Sequence, residues 1–157
     1  MAFQESPDFV RWFLGKTKFN DLGAAYFWSR SNHPYGGAEV PVPDAGNGTP
    51  GTVIREGETD VLVVFDTPAS GRVALHIENK RLGGHFTDLQ PQMYRARAAK
   101  WSGDPKYGSY GAWEIVLVAP RQFCERNAVE AAKFDRLVTH EQIAAHVPLF
   151  GINDRQG

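Results

Sequence analysis

Two acidic residues and a lysine stand where apolar segments of the chain begin or end, and together they have the chemistry of a cation site. Asp60 precedes the apolar run VLVVF, whereas Glu78 and Lys80 follow the run VALHI. If the two runs pair as strands, the carboxylates of Asp60 and Glu78 lie about 5 Å apart and repel each other. A positive charge is then required between them. In the alternative, Glu78 and Lys80 form a solvated ion pair that contributes little to stability.

The apolar residues predict the register of this hairpin. With residues 67–71 as the turn, Asp66 faces Arg72, and side chains alternate between the two faces of each strand. One face then carries the apolar pairs Val61–Ile77, Val63–Leu75 and Phe65–Val73. The other face carries Asp60 opposite Glu78, with Lys80 on the same side. A slip of one residue would separate the apolar pairs, so the hydrophobic pattern favours the pairing of the two carboxylates.

Further elements must surround the hairpin and position its polar end. Ser6 and Pro7 predict the start of a helix, and the segment from Asp21 to Arg30 is a second candidate helix. The other predicted elements are edge strands near Glu39–Val42 and Thr52–Arg55, a strand at 113–120, a helix at 87–101 capped by Thr87 and Gln90, a strand near Phe134–Val138 and a helix capped by Thr139. This order indicates an α/β or α+β fold around one mixed sheet.

Composition and charge limit the class of protein. The 157 residues, 42% of them hydrophobic, suffice for one core, so we expect a single domain over residues 1–157. The net charge of −1 gives no general attraction to nucleic acid or to an anionic membrane. The single cysteine, Cys124, cannot form an intrachain disulfide and is typical of a reducing compartment. No segment is apolar enough to span a bilayer, and we expect a cytoplasmic protein.

Three motifs together resemble the PD-(D/E)XK nuclease superfamily, which has the fold of restriction endonucleases. Asp60 and the segment IENK at 77–80 match its strand motif, in the form found in a branch of uncharacterised prokaryotic members. The segment QPQMY at 90–94 is similar to the QxxxY motif of the RecB-like branch. The segments EIVLVAP and FDRLVTHEQIAAH resemble the later strands and the closing helix of that group. The likeness spans residues 52–148 and implies a restriction-endonuclease-like central mixed β-sheet flanked by helices.

The resemblance implies a metal-dependent nuclease. It assigns Mg²⁺ or Mn²⁺ to Asp60, Glu78 and the backbone carbonyl of Asn79, because such ions prefer oxygen ligands. A bound cation would neutralise the phosphate and lower the pKa of a bound water. Lys80 would orient that water and stabilise the charge that develops as it attacks phosphorus.

The supporting residues of this site have alternative roles. Gln90 and Tyr94 lie one helical turn apart and could both face the catalytic residues. However, Gln90 could simply complete the helix cap, and Tyr94 could be an ordinary packed aromatic residue with a bonded hydroxyl. Many relatives carry a further acid on the first helix, for which Glu5 and Glu39 are the candidates in this chain.

Basic residues are concentrated in the segment 80–106, where six lysines and arginines stand against two acids. Such an excess suits contacts with a phosphate backbone, although an exposed helix face would carry the same charges. The candidate nucleic-acid contacts are Arg81, Arg95, Arg97 and Lys100. We therefore expect nucleic acid, DNA in the first place, as the partner, expect no membrane, and leave a homodimer open.

Three other interpretations stay open. A nucleic-acid-binding or scaffold domain could keep the fold without the activity. A glycosidase would use two carboxylates about 5–9.5 Å apart, but Lys80 beside them suits phosphoryl chemistry better. His76 lies on the same face as Glu78 and could form a zinc site with His85, although a third ligand at a recognisable spacing is missing.

Overall fold

The computed structural model describes residues 1–147. The strands are β1 (Ala25–Arg30), β2 (Tyr35–Val42), β3 (Gly51–Glu58), β4 (Val61–Thr67), β5 (Gly71–Asn79), β6 (Ala112–Ala119) and β7 (Arg136–Thr139). The helices are α1 (Ala2–Glu5), α2 (Pro7–Leu14), α3 (Gln90–Trp101), α4 (Arg121–Arg126), α5 (Ala128–Ala131) and α6 (His140–Ala144), with a 3₁₀ helix at Pro105–Tyr107. This arrangement confirms the expected α/β (α+β) class.

A mixed sheet of five strands forms the centre of the fold, in the order β1-β4-β5-β6-β7. The pairs β1–β4 and β4–β5 are antiparallel, whereas β5–β6 and β6–β7 are parallel. The strands β2 and β3 form a separate antiparallel pair, here called the ribbon. The prediction of a central mixed sheet flanked by helices is therefore confirmed, whereas the strands expected near Glu39–Val42 and Thr52–Arg55 do not lie at its edges but form the ribbon.

The hairpin of β4 and β5 has the predicted register. Its pairs include Val61–Ile77, Val63–Leu75 and Asp66–Arg72. The turn is shorter than expected, because Thr67 still pairs with Gly71. Gly71 has a φ of 68°, a value that glycine adopts without strain. The register places Glu78 near the end of β5 and Asp60 just before β4.

The predicted helix at residues 21–30 is wrong, because residues 25–30 form the edge strand β1. The segment is rich in aromatic residues, which pack well on a pleated surface, and Tyr26 pairs with Phe65 of β4. The register shifts between Tyr26 and Trp28, which marks a bulge. Pairing with a neighbouring strand has outweighed the local pattern that suggested a helix.

The helix starts follow the sequence signals in two of three cases. Ser6 accepts a hydrogen bond from the backbone of Phe9 at 3.1 Å, and Thr139 with Gln142 forms a complete capping box. At α3, in contrast, the helix begins at Gln90, and the residue before it has a left-handed backbone. The sequence did not reveal α4 and α5. None of the helices found within residues 1–147 has the length and apolar character required to cross a membrane.

The central sheet is buried on both faces, which explains why β4 and β5 are almost continuously apolar. One face carries Phe65 and Leu75 and packs against α1 and α2. The opposite face carries Leu62 and Ala74, which pack against Trp101 of α3. Because side chains alternate along β5, Glu78 lies on the same face as Ala74 and points towards α3.

The core makes one prediction that is independent of function. Leu75 is fully buried in the cluster that contains Phe65, so Leu75→Ala should reduce the free energy of unfolding by about 2–5 kcal/mol through lost burial and a cavity. Urea denaturation followed by circular dichroism would measure the change. Val129→Ala is the control, since Val129 is 77% exposed. Equal stability of both variants would contradict this description of the core.

Candidate metal-binding and catalytic cleft

A cleft of about 660 Å³ lies where the ribbon, the polar end of the β4–β5 hairpin and the start of α3 meet. Asp60, Glu78 and Lys80 all line it, so the three residues that the sequence placed in one site do converge. Gln90 and Asn79 line the same cleft. It is open to solvent on the side of the ribbon, where Glu58 is exposed.

Glu78 is the buried acid of the cleft, with 4% of its surface exposed. One carboxylate oxygen lies 2.8 Å from Lys80 Nζ, and the other accepts a hydrogen bond from the Tyr94 hydroxyl. Burial raises the pKa of Glu78, and the nearby charge of Asp60 raises it further. The bonds from Lys80 and Tyr94 act in the opposite direction and favour the ionised form. Both oxygens of Glu78 thus have protein partners.

Tyr94 connects the two acids of the predicted motif. Its hydroxyl donates to Glu78 and accepts a hydrogen bond from the backbone N–H of Asp60 at 3.0 Å. The side chain is fully buried, and burial together with the adjacent acids raises the pKa of its phenol well above the ordinary value. Tyr94 is therefore a packed aromatic residue of the core, and its hydroxyl also forms hydrogen bonds with Glu78 and Asp60 in the cleft.

Gln90 begins α3 at the rim of the cleft. Its side-chain oxygen accepts a hydrogen bond from the backbone N–H of Thr87 at 3.2 Å, which is half of the predicted capping box. Thr87 itself is not the cap residue, because Leu89 occupies that position. Gln90 thus fixes the chain before α3 while its side chain borders the cleft.

Asp60 belongs to a second group of polar side chains, which the sequence did not reveal. His33 Nδ1 lies 3.3 Å from a carboxylate oxygen of Asp60 and 3.3 Å from one of Glu58. One ligand atom from each of the three residues falls within 4.8 Å of the others. Glu58 stands only two residues before Asp60 and could have been suspected from the segment GETD. His33 gave no spacing signal, because it lies in a Gly- and Pro-rich loop.

The other oxygen of Asp60 is held by the end of β5. Asp60 Oδ2 accepts a hydrogen bond from the backbone N–H of Asn79 at 2.8 Å. The side chain of Asn79 turns to the opposite side of the strand, where its oxygen lies 2.9 Å from His140 Nε2. Asn79 thus fixes the Asp60 carboxylate, and the role of its own carbonyl as a metal ligand stays a prediction.

The donor set of this group fits a divalent cation. Two carboxylates and one imidazole supply oxygen and nitrogen ligands, and 54% of the His33 side chain is accessible. Hard cations such as Mg²⁺ prefer oxygen alone, whereas first-row transition ions also accept imidazole. The predicted ligand pair of Asp60 and Glu78 shares only Asp60 with this group, and Glu78 as a ligand stays a prediction. His33, Glu58 and Asp60 thus form a group that could hold a metal ion which accepts both oxygen and nitrogen ligands.

The predicted basic stripe does not lie on one exposed face. Arg97 is 1% exposed. It packs against the ring of Tyr94 and forms part of the cleft wall. Arg95 is exposed but is bound to Asp135 at 3.0 Å. Lys100 donates to the backbone carbonyl of Gly37 at 2.7 Å, which ties α3 to the ribbon.

Arg81 is the exposed base that follows the site along the chain. Within residues 1–147 it forms no ion pair or side-chain hydrogen bond. Its position directly after Lys80 keeps it at the end of β5. Arg81, with the exposed parts of Arg95 and Lys100, forms what is left of the predicted contact surface for nucleic acid.

The remaining candidates lie elsewhere in the fold. Glu5 is bound to the amino terminus at 3.1 Å, and Glu39 borders a different cleft together with Lys133. His76 is fully buried, and burial lowers the pKa of its imidazole to about 3. His76 is therefore neutral and bonded to its neighbours Thr59 and Tyr110, at 3.3 and 2.9 Å.

No protein-family model, curated protein or solved structure matches this chain.

The buried carboxyl of Glu78 predicts a pH dependence of stability. A carboxyl whose pKa is raised in the folded state binds its proton more tightly there, so its stabilising contribution is complete below the ordinary value of 4.5 and is lost at higher pH. With a chelator present, the free energy of unfolding of the wild type relative to Glu78→Gln should fall as the pH rises above 4.5. Urea titrations at each pH measure this difference. A difference that rises over the same range would contradict the assignment.

Proposed function

We propose that the protein is a metal-dependent nuclease that hydrolyses phosphodiester bonds, with DNA as the favoured substrate. The observation that carries the proposal is that the Glu78–Lys80 ion pair lines the same cleft as Glu58 and Asp60, the two acids that His33 contacts. A cation-binding group beside a lysine suits attack on an anionic phosphate. The resemblance of IENK and QPQMY to PD-(D/E)XK motifs supports the same conclusion.

Each residue of the site has a separate role in the proposed reaction. His33, Glu58 and Asp60 hold a divalent cation, which when bound neutralises phosphate charge and lowers the pKa of a water. Lys80 lies within hydrogen-bond distance of Glu78 and has the charge to orient that water and to stabilise the anion formed on phosphorus. Tyr94 binds both the Glu78 carboxylate and the backbone N–H of Asp60, so it fixes the distance between Glu78 and Asp60.

DNA is favoured because of the resemblance to restriction endonucleases, and the surface of residues 1–147 offers charge for phosphates. Arg81 and Lys100 are exposed near the cleft and on α3, and the chain as a whole has a net charge of −1. Contacts of this kind bind the phosphate backbone of the nucleic acid and depend little on its base sequence. A substrate bound by its phosphates alone suits cleavage without a fixed recognition site.

A second candidate is an inactive domain of the same fold that binds nucleic acid. The observation in its favour is that both oxygens of Glu78 contact Lys80 and Tyr94. A carboxylate in such a setting could serve to hold the fold together. The two candidates differ in cleavage, which a direct assay decides.

Metal binding should be visible as a rise in melting temperature, because a cation that binds only the folded state stabilises it. Mn²⁺ should raise the melting temperature more than Mg²⁺ does, since the group contains an imidazole. His33→Ala and Asp60→Asn should abolish most of the rise in a thermal-shift assay. His85→Ala is the control, as His85 is exposed and outside the group. A full rise in His33→Ala would show that the cation binds elsewhere.

Lys80→Ala separates metal binding from catalysis. Lys80 is not one of the proposed ligands, so the variant should keep the Mn²⁺-dependent rise in melting temperature while its cleavage rate falls at least about a hundredfold. Labelled single- and double-stranded DNA and RNA are the substrates, with the products resolved on a gel. If the wild type binds nucleic acid but cuts none of these with either metal, the inactive domain is the correct description. Unchanged cleavage by Lys80→Ala would exclude it from catalysis.

A further inference from the structure

Arg97 is a buried arginine in the wall of the cleft, and one of its nitrogens has no hydrogen-bond partner. The residue is 1% exposed, and Nη1 is a buried nitrogen without a hydrogen-bond partner within residues 1–147. A guanidinium N–H that is removed from water without an acceptor is unfavourable. The position of this nitrogen therefore requires an explanation.

A chain of hydrogen bonds holds the rest of the guanidinium in place. Nη2 donates to the carbonyl of Glu58 at 2.5 Å, and Nε donates to the Thr59 hydroxyl at 3.4 Å. Tyr110 donates its own proton to the carbonyl of Ala98, so His76 Nε2 donates to Tyr110 and His76 Nδ1 accepts from Thr59. Each donor and acceptor in this series of hydrogen bonds has a fixed role. The guanidinium therefore cannot rotate to give Nη1 another partner.

The space beside Nη1 is bounded by Gly57 and the tip of Met93. A Cβ atom at Gly57 would lie 3.1 Å from Arg97 Nη1 and 2.5 Å from Met93 Cε. The position that a Cβ would take at Gly57 is therefore already occupied by the Met93 methyl, and all three residues border the cleft. The side chain of methionine is unbranched and adaptable, so its terminal methyl can turn aside for a ligand.

Within residues 1–147, Arg97 forms no direct ion pair in the cleft, although the carboxylates of Glu78, Glu58 and Asp60 are close enough to act on its charge. Lys80 is paired with Glu78 at 2.8 Å, whereas Arg97 forms no ion pair with any carboxylate of the described residues. Its bonds go to a carbonyl and a hydroxyl, which are neutral. Phosphate oxygens accept such N–H groups strongly, because both partners are charged and the fork of the guanidinium matches them.

We propose that Arg97 binds the phosphoryl group of the substrate, with Nη1 donating to a non-bridging oxygen once the Met93 methyl has turned aside. The inference rests on the proposed nuclease function and names the residue that holds the phosphate beside the cation. Because Gly57 has no side chain, it adds nothing to the space that the Met93 methyl vacates. The binding site for the anion thus lies between the ribbon and α3, next to the group of His33, Glu58 and Asp60.

Binding of thymidine 5′-monophosphate tests the proposal, because this ligand has the phosphoryl group but no diester bond to cleave. Calorimetry with the full chain and Mn²⁺ should show that Arg97→Lys raises the Kd at least about tenfold, since lysine keeps the charge but loses the fork. The Mn²⁺-dependent rise in melting temperature should persist, which shows that the metal ligands are still in place. Arg136→Lys is the control, since Arg136 is bound to Glu114 outside the cleft. An unchanged Kd in Arg97→Lys overturns the proposal.

A second variant keeps Arg97 itself and decides the matter if Arg97→Lys does not fold. Gly57→Ala places a methyl group beside Nη1 and should also weaken binding of the monophosphate. Gly37→Ala is its control on the neighbouring strand, because a Cβ there makes only ordinary contacts from 3.5 Å outwards. If Gly57→Ala binds the monophosphate as tightly as Gly37→Ala does, the proposed phosphate position is wrong.

A parallel cleavage assay separates failure of this inference from failure of the proposed function. A wild type that binds the monophosphate through Arg97 but cuts no nucleic acid supports the anion site and overturns the nuclease. A wild type that cuts DNA, with Arg97→Lys and Gly57→Ala equal to it in cleavage and binding, overturns only the role of Arg97.

Discussion

The burial of one carboxylate determines the design of the cleft. Glu78 lies on an inward-facing position of β5 and has almost no contact with solvent. A buried charge is stable only when it is paired and hydrogen-bonded, and here Lys80 and Tyr94 supply the partners. Since Lys80 follows Glu78 in the chain and Tyr94 comes from α3, this carboxylate fixes both the end of the strand and the approach of the helix.

The site consists of two halves that different parts of the fold supply. Glu78 and Lys80 belong to the central sheet, whose register is fixed by the apolar pairs of the hairpin. Glu58 belongs to the ribbon, and His33 lies in the loop before it. Tyr94 and Arg97 of α3 connect the halves, because Tyr94 bonds to Glu78 and Arg97 bonds to the carbonyl of Glu58. Movement of the ribbon against α3 would therefore change the spacing of the site.

The half on the sheet could be predicted from the sequence, and the half on the ribbon could not. Alternation of apolar residues fixes strand register, so the positions of Asp60 and Glu78 followed from Val61 and Ile77. The contacts of His33 with the acids depend on a loop whose backbone has a φ of 51° at that residue, and no periodicity predicts such a turn.

Arg97 shows why charge patterns along a helix are poor guides to a surface. Its place in a run of basic residues suggested an exposed stripe, but α3 packs between the sheet and the ribbon, and both of its sides are occupied. Arg95 and Arg97 lie two residues apart and consequently face in different directions on the helix. One is exposed and bound to Asp135, and the other is buried with donors directed at the ribbon. The burial that removes Arg97 from the surface also fixes its guanidinium, and a fixed donor beside the proposed cation site suits recognition of a phosphate.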